Sequence, residues 1–188
     1  FPAAGKEAEC LDRLKQLFET GAFAGFIFEP LVQGAAGMRM YAADWLDEAL
    51  HLAKQYQVLT IADEVMTGFF RTGTLFACDR LKHKPDIVCL SKGLTGGVLP
   101  LGLTVATNTI YDAFLADETI KALLHGHSFT GNALACAAAC TSMKLLLAEE
   151  NQKQVKRISE HNASFVNDQK HNPAFRDVRS CGTILAVE

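Results

Sequence analysis

A chain of 188 residues with 49% hydrophobic and 21% charged content has the make-up of a soluble globular domain, or of a large piece of a bigger protein, with enough apolar material for a real core. A net charge of −3, with Lys and Arg scattered along the chain, excludes the basic stripe that nucleic-acid binding needs and leaves a small molecule as the default partner. No apolar run reaches the length of a membrane span and no signal peptide is evident, so neither a membrane role nor export is expected.

Residues 6–19 place Leu11, Leu14, Leu17 and Phe18 at helical spacing, with Gly21 as the stop signal. GFIFEP follows, a short apolar run ended by Pro30, and reads as a buried strand. The Gly- and Ala-rich segment 33–41 predicts a loop. A second amphipathic helix is expected at about 44–56, with Trp45, Leu46, Ala49, Leu50, Ala53 and Tyr56 on one face and Asp44 as N-cap. VLTIAD (58–63), DIVCL (86–90) and LGLTVAT (101–107) are further apolar runs of strand length. Continuous apolar strands separated by helices predict an α/β domain with a mostly parallel sheet and flanking helices, the strands buried on both faces. Residues 131–170 read as two helices. The first is rich in small residues and is expected to pack tightly on the sheet. Strand character returns at 177–188, after a junction at His171-Asn172-Pro173.

The six cysteines, Cys10, Cys78, Cys89, Cys136, Cys140 and Cys181, form no C-x-x-C pair and lie mostly in apolar runs. They read as buried free thiols in a reducing, cytoplasmic compartment. His125 and His127 lack a third ligand nearby, so no metal site is expected. Both ends fall as if cut, and the chain reads as a fragment.

In open α/β sheets ligands collect beyond the carboxyl ends of the strands. Glu29, Asp63 with Glu64, and Ser91 with Lys92 stand at three such ends, and Gly68, Gly73, Gly93, Gly96 and Gly97 allow close approach of backbone to a ligand. Two chemistries suit an acid and a lysine so placed. Nucleotide hydrolysis would use Asp63 for magnesium, but it also needs a G-x-x-x-x-G-K-[ST] loop, and SKGLTGG has its lysine before the glycines. Pyridoxal phosphate chemistry needs a lysine amine to condense with the cofactor aldehyde and a carboxylate to pair with the pyridine nitrogen.

At these residues the sequence resembles the class III aminotransferases, of the fold-type I pyridoxal-phosphate enzymes. The resemblance rests on FEPLVQGAAGMRMY (28–41), LTIADEVMTGFFRTG (59–73), PDIVCLSKGLTGG (85–97) and HGHSFTGNALACAAA (125–139), which occur in the family's order. It implies that Lys92 is the Schiff-base lysine and proton carrier, and that Asp63 faces the pyridine nitrogen. It further implies that Val65 packs on one ring face and that Ser128 reaches the phosphate of the neighbouring subunit. Gly126, with His127, would lie at the substrate side. A homodimer with shared active sites is implied too, with residues 1–170 as the second half of the cofactor-binding large domain and 171–188 as the start of a C-terminal α+β domain. The upstream phosphate loop and stacking aromatic, and the downstream carboxylate-binding arginine, are not in the chain.

Within the family the pattern resembles the branch that aminates 8-amino-7-oxononanoate with S-adenosylmethionine as donor. Ornithine- and GABA-type members usually carry Glu at the position of Ala35 and often Gln at that of Met66. A ligand-binding relative without catalysis is the other alternative, and the joint presence of Lys92 and Asp63 argues against it. Phe70 departs from the family's glycine. If that backbone takes a positive φ, the residue is strained by ~1–3 kcal/mol; otherwise it is a tolerated local variant.

Overall fold

The computed structural model describes residues 1–3 and 5–188. In chain order the elements are α1 (Glu7–Glu19), β1 (Gly25–Phe28), β2 (Val32–Gln33), β3 (Arg39–Met40), α2 (Ala43–Gln55), β4 (Leu59–Asp63), β5 (Ile87–Leu90) and β6 (Leu103–Ala106). The short α3 (Asn108–Asp112), the long α4 (Ala133–Leu147) and α5 (Glu149–Gln169), and the pair β7 (Val178–Cys181) and β8 (Ile184–Val187) complete it. Three single 3₁₀ turns lie at Ala77–Arg80, Lys92–Thr95 and Thr119–Lys121.

The main sheet runs β1-β4-β5-β6. β1, β4 and β5 are parallel, with Phe28 beside Ala62 and Asp63 beside Cys89, whereas β6 runs antiparallel to β5. The α/β architecture with a parallel-dominated sheet is therefore present, with a reversed edge strand. Helix α2 begins one residue before the predicted Asp44 cap: Ala42 occupies the cap position without a side-chain bond, and Asp44 sits in the first turn, where a negative charge suits the helix dipole. Its buried face, Trp45, Leu46, Ala49 and Leu50, packs on Phe28, Ala62, Cys78 and Leu81. Gly21 ends α1 in the left-handed conformation (φ 64°), as a stop glycine should.

Four expectations need correction. The parallel strands are covered on one face only: Phe28, Thr60, Ala62 and Leu90 are buried, but Ile27 and Leu59 on the other face are 61% and 40% exposed, and the reversed edge strand β6 is exposed on both faces. The apolar runs concealed a period-two alternation because both faces are apolar in composition. Segment 33–41 is not a plain loop but the turn of the β2–β3 hairpin, pairing Val32 with Met40. Helix α4 packs on the turn 92–95 rather than across the sheet. Ala139 joins Phe69, Leu90 and Leu94 in one cluster, and Ser142 Oγ donates to the Gly93 carbonyl at 3.1 Å. Of the thiols only Cys78 is buried, while Cys136 and Cys140 are exposed on α4; their small size, not burial, is what an Ala-rich helix accommodates. Phe70 does take a positive φ (66°), as does Phe69 (58°), so the strained alternative holds. No described helix is long and apolar enough to cross a membrane.

Candidate active site

The rim at the carboxyl ends of β1, β4 and β5 carries the chemistry. Successive residues of a strand point to opposite faces, and at the end of β4 this separates two adjacent carboxylates. Glu64 turns into the covered side and is fully buried. It accepts from Thr67 Oγ1 at 2.9 Å, from the Ala77 amide at 2.9 Å and from the Cys78 amide at 2.8 Å. Its own amide donates to the Cys89 carbonyl at 2.9 Å. All these donors are neutral, so the group ties the loop after β4 to the 77–80 turn by hydrogen bonds rather than by an ion pair. Burial, with the nearby Glu64 carboxylate, pushes the Cys78 thiol far up and keeps it protonated.

Asp63 lies on the open side, half-buried, and its Oδ1 accepts only the Val65 amide, at 3.1 Å. Burial and the Asp63 charge together raise the thiol of the paired residue Cys89. The Asp63–Val65 bond turns the chain back at once, leaving Val65 and Met66 half-buried at the rim. Beyond them Gly68 is obligatory, because a Cβ there would meet the Glu64 carbonyl oxygen at 2.9 Å.

Lys92 opens the turn after β5 in a left-handed conformation, φ 43°, with an exposed side chain. Its neighbours are fixed on both sides. Ser91 Oγ donates to the Leu101 carbonyl at 2.7 Å. Gly93 lies so close to Phe69 that a Cβ would stand 2.9 Å from that side chain, and its carbonyl is the one taken by Ser142. Three of the glycines predicted to admit a ligand thus have other duties: Gly68 and Gly93 admit protein, and Gly96 (φ 63°) closes the turn.

Lys92 and Asp63 stand at neighbouring strand ends and form no ion pair with each other among the described contacts. Since Asp63 pairs with Cys89, Lys92 begins one strand spacing aside, ~5 Å, and no more than ~10 Å further along the chain direction. From there a flexible lysine side chain has the reach to approach one side of a small aromatic ring whose other side would face Asp63. Among the described residues, Lys92 Nζ and Asp63 Oδ2 have no hydrogen-bond partner, so an amine and a carboxylate oxygen remain available to a ligand.

The sequence-predicted residues fall in two groups. Lys92, Asp63 and Val65 share the rim. Gly126, His127 and Ser128 belong to an exposed turn in which the His127 amide donates to Thr130 Oγ1 at 2.9 Å and the Phe129 amide to His127 Nδ1 at 3.1 Å. That turn borders a cavity of about 770 Å³ whose walls include Ser91, Leu101, Thr104, His127, Phe129 and Asn132. The cavity brings the turn next to Ser91, the residue before Lys92, but Gly126 and Ser128 are not among its walls. Glu64, Phe69 and Ser142 support the site; of these only Glu64 stands out in the sequence, as a strand-end acid suited to supporting contacts or a salt bridge, and the structure gives it hydrogen bonds to neutral donors. The pairing of ADE with a glycine four residues after the Glu was the available signal for the first of them. No group of three or more His, Cys, Asp or Glu side chains suited to a metal occurs among the described residues.

The family model for class III aminotransferases matches residues 3–188, and the chain belongs to that family. Among individual proteins, it is similar to the adenosylmethionine-8-amino-7-oxononanoate aminotransferase of Synechococcus elongatus, at 51% identity over 77% of this chain and 34% of that protein. The protein of the same name from Geobacter sulfurreducens is 43% identical over 96% of this chain and 40% of its own length. The solved structure of the Methanocaldococcus jannaschii protein of that name superposes with a TM-score of 0.87 at 37% identity, covering 96% of this chain and 43% of that one. Ornithine aminotransferase from Plasmodium yoelii gives a TM-score of 0.82 at 30% identity, over 95% of this chain and 46% of that one. The chain thus spans about two fifths or less of the length of the curated relatives just named. Class III aminotransferases use pyridoxal phosphate, and the unpaired acid and amine on one rim fit that cofactor's ring nitrogen and aldehyde.

Proposed function

We propose that this chain is the catalytic core segment of a pyridoxal-phosphate-dependent aminotransferase that moves an amino group from S-adenosylmethionine to 8-amino-7-oxononanoate, giving 7,8-diaminononanoate for biotin biosynthesis. The observation that carries the cofactor reading is the placement of an unpartnered Lys92 amine and Asp63 carboxylate at adjacent strand ends. The substrates are supported by the names of the relatives at 43–51% identity and by Ala35 and Met66, which replace residues usual in the ornithine and GABA branches.

When bound, the cofactor supplies an electron sink for the carbon that loses or gains the amino group. Lys92 Nζ would anchor it and, once released, would carry the proton from the amino-bearing carbon of the donor to the cofactor carbon, and in the second half-reaction would carry one the opposite way to the acceptor carbon. The fixed backbone on both sides of Lys92 confines this motion to the side chain. Asp63 would accept a charge-assisted hydrogen bond from the ring nitrogen and so keep that nitrogen protonated. The Val65 amide on Oδ1 aims the other oxygen, and the Val65 side chain covers one ring face. Ser128 would hydrogen-bond the phosphate of a neighbouring subunit's cofactor, and Gly126, two residues before it, would let the substrate approach at that same site. These last two roles go with a cytoplasmic homodimer whose active sites are shared, and they account for the exposure of both residues in a single chain. Residues 1–170 serve as part of the large domain and 171–188 begin the smaller C-terminal one.

The test is borohydride reduction of the intact polypeptide carrying these residues after mixing with pyridoxal phosphate, followed by peptide mass mapping. The adduct falls on Lys92 and vanishes in Lys92→Ala; an adduct on another lysine refutes the assignment. An amino-donor screen then separates substrates. S-adenosylmethionine is preferred over lysine, ornithine and GABA, and a clear preference for ornithine overturns the biotin-pathway reading.

A further inference from the structure

The β7–β8 hairpin comes from the far end of the chain, yet it holds two of the three loops that leave the rim, those after β1 and β4. Its turn is bolted to the loop after Met66. Thr183 donates to the Arg71 carbonyl from its amide at 3.0 Å and from its hydroxyl at 3.2 Å. Gly182, at φ 60°, lies so close that a Cβ would stand 2.2 Å from the Gly73 nitrogen. At the other end of the hairpin Arg179 crosses to the β2–β3 turn. Its Nε donates to the Met38 carbonyl at 2.9 Å and its Nη2 to the Gly37 carbonyl at 2.5 Å.

The two carbonyls belong to consecutive residues in the left-handed region, Gly37 at φ 77° and Met38 at φ 54°. Non-glycine residues persist in that region when the surroundings over-determine them. A planar guanidinium reaching two adjacent carbonyls supplies such a constraint, and a lysine cannot reproduce it. Arg179 is itself held: Nη2 also meets Glu188 Oε1 at 2.8 Å, Nη1 meets Asp177 Oδ2, and its side chain is 18% exposed. From Met38 the turn returns to Gly34, whose amide donates to Glu29 Oε2 at 2.9 Å. A Cβ at Gly34 would stand 3.0 Å from Met66 Cε. The path therefore runs from Arg179 through the Gly37–Met38 carbonyls to the rim beside Met66.

We propose that Arg179 is a positioning residue that fixes the Gly34–Met38 turn, with Ala35 at its centre, as a wall of the substrate site. The kinetic half of this rests on the aminotransferase reading above; the structural half does not.

Hydrogen exchange in the intact polypeptide tests the structural half. Arg179→Ala speeds exchange in 34–40 by about tenfold or more, and leaves 59–63 and 87–90 at wild-type rates. Arg179→Lys keeps the charge, gives an intermediate value, and decides the matter if the alanine variant does not fold. Unchanged exchange in 34–40, or an equal rise everywhere, overturns the proposal. In the loaded enzyme Arg179→Lys raises KM for the keto acid several-fold with kcat near wild type and with the Lys92 adduct intact. Faster exchange with KM unchanged removes the substrate-wall role while leaving the clamp. Absence of the Lys92 adduct in the wild type refutes the aminotransferase reading instead, and the exchange result still decides the clamp.

Discussion

Residues 59–97 and residues 103–134 are neighbours in sequence and contribute to one rim, yet they are built in opposite ways. The first stretch is densely held, partly by its own contacts and partly by its flanks: Glu64 holds three donors, Phe69 fills the space over Gly93, and Ser91 reaches Leu101 just beyond it. In the second, every residue except Ile110 and Asn132 is exposed, including Ile120 at 85%, Leu124 at 81% and Phe129 at 72%. Exposed apolar side chains in such number are what the proposed shared interface would require of this stretch. The residues proposed to touch the cofactor from within the subunit lie in the densely held stretch. The two proposed to need a neighbouring subunit lie in the other. Local contacts are enough to place an anchor, whereas a site shared as proposed would leave its second half unsupported in a single chain.

Substitutions on each side sharpen this contrast. The largest effect is expected at Asp63: Asp63→Asn lowers kcat by ~10²–10³ while the Lys92 adduct still forms, because an electrostatic partner is lost and not the anchor. Normal turnover by that variant removes Asp63 from the mechanism. Next is Glu64→Ala, which orphans the Thr67 hydroxyl and two amides and costs about 3–5 kcal/mol in urea unfolding of the chain.

A smaller effect concerns Asp47, which joins α2 to the segment before β5 by accepting the Lys82 and His83 amides at 2.8 Å each. Burial alone would raise this carboxyl, but the hydrogen bonds and charge of His83, with the Lys82 amide, outweigh it and hold the group below the usual carboxylate range. A folded value below the unfolded one means that the contribution is complete above about pH 4 and fades as the pH drops through the folded value. The stability gap between wild type and Asp47→Asn, about 1 kcal/mol at pH 7, should close on acidification to about pH 3. A gap still fully open below about pH 3 contradicts the direction of the shift. Smallest of all, Leu124→Ser changes the unfolding free energy of the single chain by less than about 0.5 kcal/mol. If it destabilises the chain as Glu64→Ala does, the division between the two stretches is wrong.

Much of the rim was legible from residue order. Short apolar runs ending in Glu29, Asp63 and Lys92 gave the strands, their parallel arrangement and the end at which they stop, because strand length and polarity change are local properties. The reversed β6 was not legible, since the connection 91–102 has no composition that distinguishes a turn back from a crossover. One-sided coverage of the sheet was hidden because Ile27 and Leu59 are as apolar as Phe28 and Ala62. The division of labour between Asp63 and Glu64 follows from which face each takes, and the strand's phase relative to α2 sets that. Arg179 offered no local signal at all. Its partners in the β2–β3 turn lie 141 and 142 positions away, and both are backbone carbonyls, which any residue provides.

The left-handed backbone at Lys92 bears on how tightly a tether should be strung. With Ser91 and Gly93 both immobilised, the base of the arm behaves as a fixed post, and only side-chain torsions remain to be ordered when the amine is engaged. That costs on the order of 2 kcal/mol, without the further loss that a floppy mainchain would add. A swinging arm on a rigid post can leave its station and come back to the same spot, which is what a group serving two half-reactions in turn has to do.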